Sequence, residues 1–281
     1  MDKSKLEILF DSQFNLAESP FYDKNNKTLS WVDIVKGNLY LLDSSDNFKV
    51  INFNERIGSA VPLINSTGYL VFGTKGIYLY ENDNIKLLYD LKNEYETFQR
   101  SNDAKADRLG RVWFSSIVDD EIHSPESKLF CYKNGIVECM DPDFKLGNGI
   151  CFNKACNKMY FADSVNNAIY SYDYNLSEGS ISKKKVLCNI YDLCPDGMLI
   201  DSDDNLWIAI WGGSRIEVRN SKNGMLKKTI NIPTKNVTSL TYDPFNKEII
   251  ITTAKSDEVL GSIYKLKVHQ DFPDIDYAKI D

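Results

Sequence analysis

Six oxygen-bearing side chains recur through this 281-residue chain at near-regular intervals. Glu18, Ser59, Asn102, Asn148, Asp196 and Thr238 are separated by 41, 43, 46, 48 and 42 residues. Two are carboxylates, two are amides and two are hydroxyls; none offers sulfur or imidazole. If the fold brings them to one height, they form a hard-donor set suited to Ca²⁺, Mg²⁺ or Mn²⁺ rather than to a thiophilic metal. Glu18 and Asp196 would repel one another there without a cation between them. The alternative for the same six residues is a water-filled polar channel. Gly147 and Gly149 bracket Asn148, while Pro195 and Gly197 bracket Asp196, and small or rigid neighbours let backbone approach and fix a side chain's direction. Arg100, two residues before Asn102, is the nearest cation to such a site, or a structural partner for Asp103 or Asp107.

The elements that would position these residues follow the same period. Each opener runs into an aromatic or branched stretch: Trp31-Val, Val71-Phe, Trp113-Phe, Tyr160-Phe, Trp207-Ile and Ile250-Ile. A third apolar run and a more polar fourth run follow, separated by turn signals such as Asp23-Lys-Asn-Asn and Asp201-Ser-Asp-Asp-Asn. Several short strands per period of ~40–50 residues predict an all-β, six-bladed propeller with four-stranded blades. The weak hydrophobicity of the fourth strands suits the outer edge of each blade. The last repeat has little chain after Leu266 for a fourth strand, so Lys5–Phe10 is expected to supply it and close the ring. One domain over residues 1–281 follows. Two connections between second and third strands are long, Ser115 to Ser127 and Thr252 to Gly261. Both are expected to border the end where the openers lie, and both carry acids, among them Asp119, Asp120, Glu121, Asp257 and Glu258.

Composition narrows the function classes. A formal net charge of −7 disfavours nucleic acid as a partner. No apolar run approaches the ~20 residues of a membrane span, and Met1-Asp-Lys-Ser-Lys lacks the apolar core of a secretory signal, so a cytoplasmic protein without membrane partners is expected. Six cysteines without a CxxC pair are expected to be reduced, although Cys151 and Cys156 flank a turn and could lie near each other. Two histidines exclude a multi-histidine zinc site, and there is no G-x-S-x-G nucleophile motif.

Leu16-Ala-Glu18-Ser-Pro, Arg100-Ser-Asn102-Asp-Ala-Lys, Asn148-Gly, Pro195-Asp196-Gly-Met and Trp211-Gly-Gly, in this order along nearly the whole chain, resemble the gluconolactonase / regucalcin (senescence-marker protein) / luciferin-regenerating enzyme family. The resemblance implies one divalent cation in the central channel, Ca²⁺ foremost with Mg²⁺, Mn²⁺ or Zn²⁺ as alternatives. It implies Glu18, Asn148 and Asp196 as the metal ligands and Asp196 as the general acid/base. Arg100 and Asn102 correspond to substrate-contacting residues, joined by Asp120 or, as runner-up, Glu121. Ala17 and Ala104 stand where the family usually has glycine. The expected activity is hydrolytic opening of a small sugar lactone by a monomer or weak homo-oligomer. The alternatives are a calcium-binding regulatory protein without turnover, and an esterase or phosphotriesterase using the same site.

Overall fold

The computed structural model describes residues 6–94, 99–118, 127–191, 193–257 and 259–280. Its strands are β1 (Leu6–Phe14), β2 (Ala17–Asp23), β3 (Thr28–Asp33), β4 (Asn38–Asp43), β5 (Phe48–Asn52), β6 (Ile57–Pro62), β7 (Tyr69–Gly73), β8 (Gly76–Glu81), β9 (Asn84–Asp90), β10 (Gln99–Ala106), β11 (Val112–Val118) and β12 (Ser127–Lys133). They continue with β13 (Ile136–Phe144), β14 (Gly147–Phe152), β15 (Lys158–Asp163), β16 (Ala168–Asn175), β17 (Ser180–Asn189), β18 (Cys194–Ile200), β19 (Asn205–Trp211), β20 (Arg215–Asn220), β21 (Leu226–Asn231), β22 (Asn236–Asp243), β23 (Glu248–Ala254) and β24 (Gly261–Lys267). These form six four-stranded antiparallel sheets, β2–β5, β6–β9, β10–β13, β14–β17, β18–β21, and β22–β24 completed by β1. The protein is a six-bladed β-propeller.

Each blade is sandwiched between two others, so its inner strands are buried on both faces and lose the alternation of a half-exposed sheet. β3, β7 and β23 are almost wholly buried, whereas the outer strands β9, β17 and β21 are largely exposed. The core is accordingly divided among the blade interfaces. Leu70, Phe72, Val112 and Phe114 fill the one between blades 2 and 3, and Trp113, Phe152, Phe161 and Tyr174 the next. The blade 6–blade 1 seam is aromatic: Phe10 and Phe14 of β1 lie 5.2 and 5.9 Å from the Trp31 ring, which stacks on Tyr40.

Closure of the ring by the N-terminal strand is as the sequence predicts, with Leu6 opposite Leu266 and Phe14 opposite Gly261. A second tie, not anticipated from the sequence, comes from residues 268–280, which run as a strap over the turns that join first and second strands. Ser202 N–H donates to Asp271 O, Phe272 packs on Trp207 and Tyr242, and Tyr277 OH donates to Asp23 Oδ1. Ala278 then exchanges backbone bonds with Pro62 and Ile64, and Lys279 N–H donates to Gly110 O. The strap thus touches blades 5, 6, 1, 2 and 3. Among the described residues no helix is long and apolar enough to cross a membrane. All six cysteines are free, including Cys151 and Cys156.

Candidate functional site

Every innermost strand breaks register with its neighbour at or beside the opener. The irregularity falls between Glu18 and Phe21, Ile57 and Ser59, Ser101 and Ala104, Asn148 and Ile150, Pro195 and Met198, and Val237 and Ser239. A bulge re-aims a side chain out of the pleat. In blades 1, 3, 4 and 5 it turns Glu18, Asn102, Asn148 and Asp196 into one cavity at the axis.

The other two openers do not join them. In blade 2 the break falls at Gly58, so Ser59 has already returned to the paired strand and is fully buried. A Cβ on Gly58 would lie 2.4 Å from the carbonyl oxygens of Ser101 and Asn102, so this glycine admits the backbone of blade 3 where another blade sends a side chain inward. Thr238 spends its hydroxyl on Ala17 O at 2.6 Å, tying blade 6 to blade 1. The equivalence of six openers is therefore an equivalence of four.

The cavity holds about 220 Å³. Its floor is Glu18, Arg100, Asn102, Asn148 and Asp196, all buried, with Glu18 7% and Asp196 4% exposed. Its wall is apolar, formed by Leu16, Ile34, Ile117, Leu146, Val165 and Trp211, with Cys194 beside Trp211. Beneath it the channel narrows to a void of about 10 Å³ bordered by Ser19, Asp103 and Lys105. Asp120 and Glu121 lie outside the described residues.

Electrostatics at the floor are dominated by unpaid desolvation. Burial, and then the nearby charge of Asp103, raise the Glu18 carboxyl from 4.5 to about 8, against the opposing pull of the Ser19 N–H, 2.7 Å away, and of Arg100. Burial and then the charge of Glu18 push Asp196 well above its ordinary value, and Asp196 Oδ1 is buried with no hydrogen-bond partner. Two buried acids in contact, one with an orphaned oxygen, require a proton or a cation. Asn148 stands beside them and carries a third oxygen, Oδ1, which accepts from Gly149 N–H at 3.2 Å. Its Nδ2 donates to Ser164 Oγ, which itself donates to Pro195 O at 2.6 Å, so one serine fixes the amide and the strand entering Asp196 together. Two carboxylates and an amide oxygen fit a hard divalent cation. Among the described residues no three acidic, histidine or cysteine side chains cluster, so the amide is needed to reach three donors.

Arg100 and Asn102 are both at the floor, but much of their capacity is committed to the protein. Arg100 Nη1 donates to Ser101 O and Asn102 Oδ1, and Asn102 Nδ2 donates to Gly147 O, linking blade 3 to blade 4. Asp107 is held by Arg111 Nε at 2.6 Å. Ser164 and the apolar wall are the site features the sequence did not disclose. The serine follows the second strand of blade 4 in a turn of the Asp-Ser-x-Asn kind, which reads as ordinary turn chemistry.

Fold and cavity together define a six-bladed propeller with an acid–amide pocket on its axis. A profile of the SMP-30/Gluconolactonase/LRE-like region matches residues 16–255, and the chain belongs to that family. An uncharacterized protein of Sulfolobus acidocaldarius is 31% identical over 268 residues, spanning 92% of this chain and 94% of its own length. YvrE of Bacillus subtilis, provisionally named a sugar lactone lactonase, is 27% identical over 250 residues, spanning 87% and 85%. The solved structure of an Agrobacterium tumefaciens regucalcin, described as a calcium-binding protein, shares the fold with a TM-score of 0.91 at 18% identity, covering 99% of this chain and 98% of that one.

Proposed function

We propose that the protein is a divalent-cation-dependent hydrolase that opens a sugar lactone, acting as a single-domain cytoplasmic enzyme with the axial cavity as its active site. The observation that carries this reading is the pair of buried carboxylates, Glu18 and Asp196, with the orphaned oxygen of Asp196 and the oriented amide of Asn148 beside it. Glu18, Asn148 and Asp196 are the residues that would hold the cation. A divalent cation bound there supplies Lewis-acid polarisation of an ester carbonyl. The lactonase name of the Bacillus subtilis relative supports the substrate class, and the calcium-binding description of the regucalcin supports Ca²⁺.

The chain's own residues divide the remaining work. Asp196 accepts a proton from the attacking water and returns it to the ring oxygen as the C–O bond breaks. Arg100 and Asn102, with Asp120 two positions beyond β11 in the sequence, orient the hydroxyls. Leu16, Ile34, Val165 and Trp211 present an apolar surface to the C–H face of the ring and limit water at the floor. The test is a screen of aldonolactones with chelated protein to which Ca²⁺, Mg²⁺, Mn²⁺ or Zn²⁺ is restored. Turnover that vanishes with chelator and returns with a cation supports the reading. A protein that binds the cation and opens no lactone is a regulatory calcium binder instead.

A further inference from the structure

We infer that Cys194 is a thiol-modification site built into the wall of the cavity, through which small disulfides and other thiol-reactive compounds shut the site. Cys194 opens β18 two residues before Asp196, is half-buried, and lies opposite Trp211 in the β18–β19 ladder. Both line the cavity whose floor holds the unpartnered oxygen of Asp196. That oxygen marks the cavity as a place where a ligand belongs, so a group attached to the Cys194 sulfur occupies ligand space. At about 220 Å³ the cavity is below the ~300–1,000 Å³ of ordinary ligand pockets, which leaves no room for an adduct and a lactone together.

The other thiols are differently placed. Cys131, Cys151 and Cys156 are buried in the core. Cys139, exposed, and Cys188, half-buried, stand on the outer strands β13 and β17 and line no part of this cavity. Of the cysteines with access to solvent, Cys194 is therefore the one whose modification reaches the site. With an aromatic disulfide such as 5,5′-dithiobis(2-nitrobenzoate), the Cys194 thiolate attacks one sulfur. A new S–S bond forms, the old one breaks, thionitrobenzoate leaves with the electron pair, and the thiol proton goes to solvent. A free thiol such as dithiothreitol reverses the exchange.

The test uses the Cys139→Ser/Cys188→Ser double variant, so that Cys194 is the accessible thiol. One thionitrobenzoate should be released per chain. The emission of Trp211 should be quenched by the attached nitrobenzoate, because Trp31, Trp113 and Trp207 are fully buried elsewhere. Lactone turnover, measured as the ratio of treated to untreated protein, should fall at least tenfold and recover with dithiothreitol. With Cys194→Val added, release, quenching and the fall in that ratio should all disappear. Absence of release from folded double variant, or full labelling with the turnover ratio near one, overturns the inference. The turnover arm rests on the lactonase reading and the labelling arm does not. If the parent opens no lactone, stoichiometric release with Trp211 quenching still upholds an accessible thiol in the cavity, while the enzymatic reading alone falls.

Discussion

Glu18→Gln in cation-free protein should raise stability at pH 8 and leave it nearly unchanged at pH 5. Burial holds the Glu18 carboxyl at about 8 in the folded chain against an ordinary 4.5. Between those values the folded protein keeps a proton that the unfolded chain has released. The unfolded state then binds fewer protons, so stability falls as pH rises through this window. It is fully present below 4.5 and lost by about 8. At about 1.4 kcal/mol per pH unit, the ceiling on this loss is roughly 5 kcal/mol. Water entering the cavity and local relaxation reduce it, and roughly 2–3 kcal/mol is the working figure. That corresponds to about 5 °C in Tm for a domain of this size. The assay is thermal denaturation of parent and variant with chelator at pH 5, 6, 7 and 8. The variant-minus-parent difference should grow with pH, and added Ca²⁺ should raise the parent Tm but not the variant's. A difference independent of pH, or one that shrinks toward pH 8, refutes the buried-acid account.

Three further outcomes follow from other parts of the molecule. Asp196→Asn keeps an oxygen at the floor but removes the carboxylate proposed as the base, and kcat at saturating cation should fall on the order of 10²–10⁴-fold in a lactone assay. Gly149→Ala replaces none of the proposed ligands, yet its Cβ would lie 2.4 Å from the backbone oxygen of Asp196. The resulting shift of β18 should destabilise the fold by about 1–3 kcal/mol in urea and lower kcat. Asp107→Ala strands Arg111, which donates to Asp107 Oδ2 within a buried group that includes Tyr174 OH at 2.5 Å from the same oxygen, and chemical denaturation should show a loss of about 3–5 kcal/mol with the lactone KM unchanged.

Much of this architecture is legible in the sequence because a propeller repeats its physics. Trp31, Trp113 and Trp207 sit on second strands that are buried on both faces, and that requirement writes the same apolar run into each repeat. That Lys5–Phe10 belongs to the last blade follows from an edge that must be paired, and β1, from Leu6 onward, pairs there. The site is less legible. Which openers face the axis depends on where each bulge falls, and a shift of one residue at Gly58 removes Ser59 from the set. The strap is invisible to a periodicity argument because it is not a repeat; Phe272 and Ala278, buried, and Tyr277, half-buried, stand in an acidic tail, and what covers them comes from four different blades. Commitment of Asn102 to Gly147 is likewise a contact between blades that spacing alone does not reveal.

The seam between first and last blades has a consequence for synthesis. β1 leaves the ribosome ahead of the other blade strands, yet its partner β24 lies some 250 residues later, as the bond from Ser12 N–H to Ser262 Oγ illustrates. At ~5–20 residues per second, β1 waits on the order of tens of seconds without its native neighbour. Throughout that time Ile8, Phe10 and Phe14 belong to an unpaired edge, the kind of segment that recruits strands from other chains. The blades in between can assemble as they emerge, but the ring is completed only when β24 meets β1.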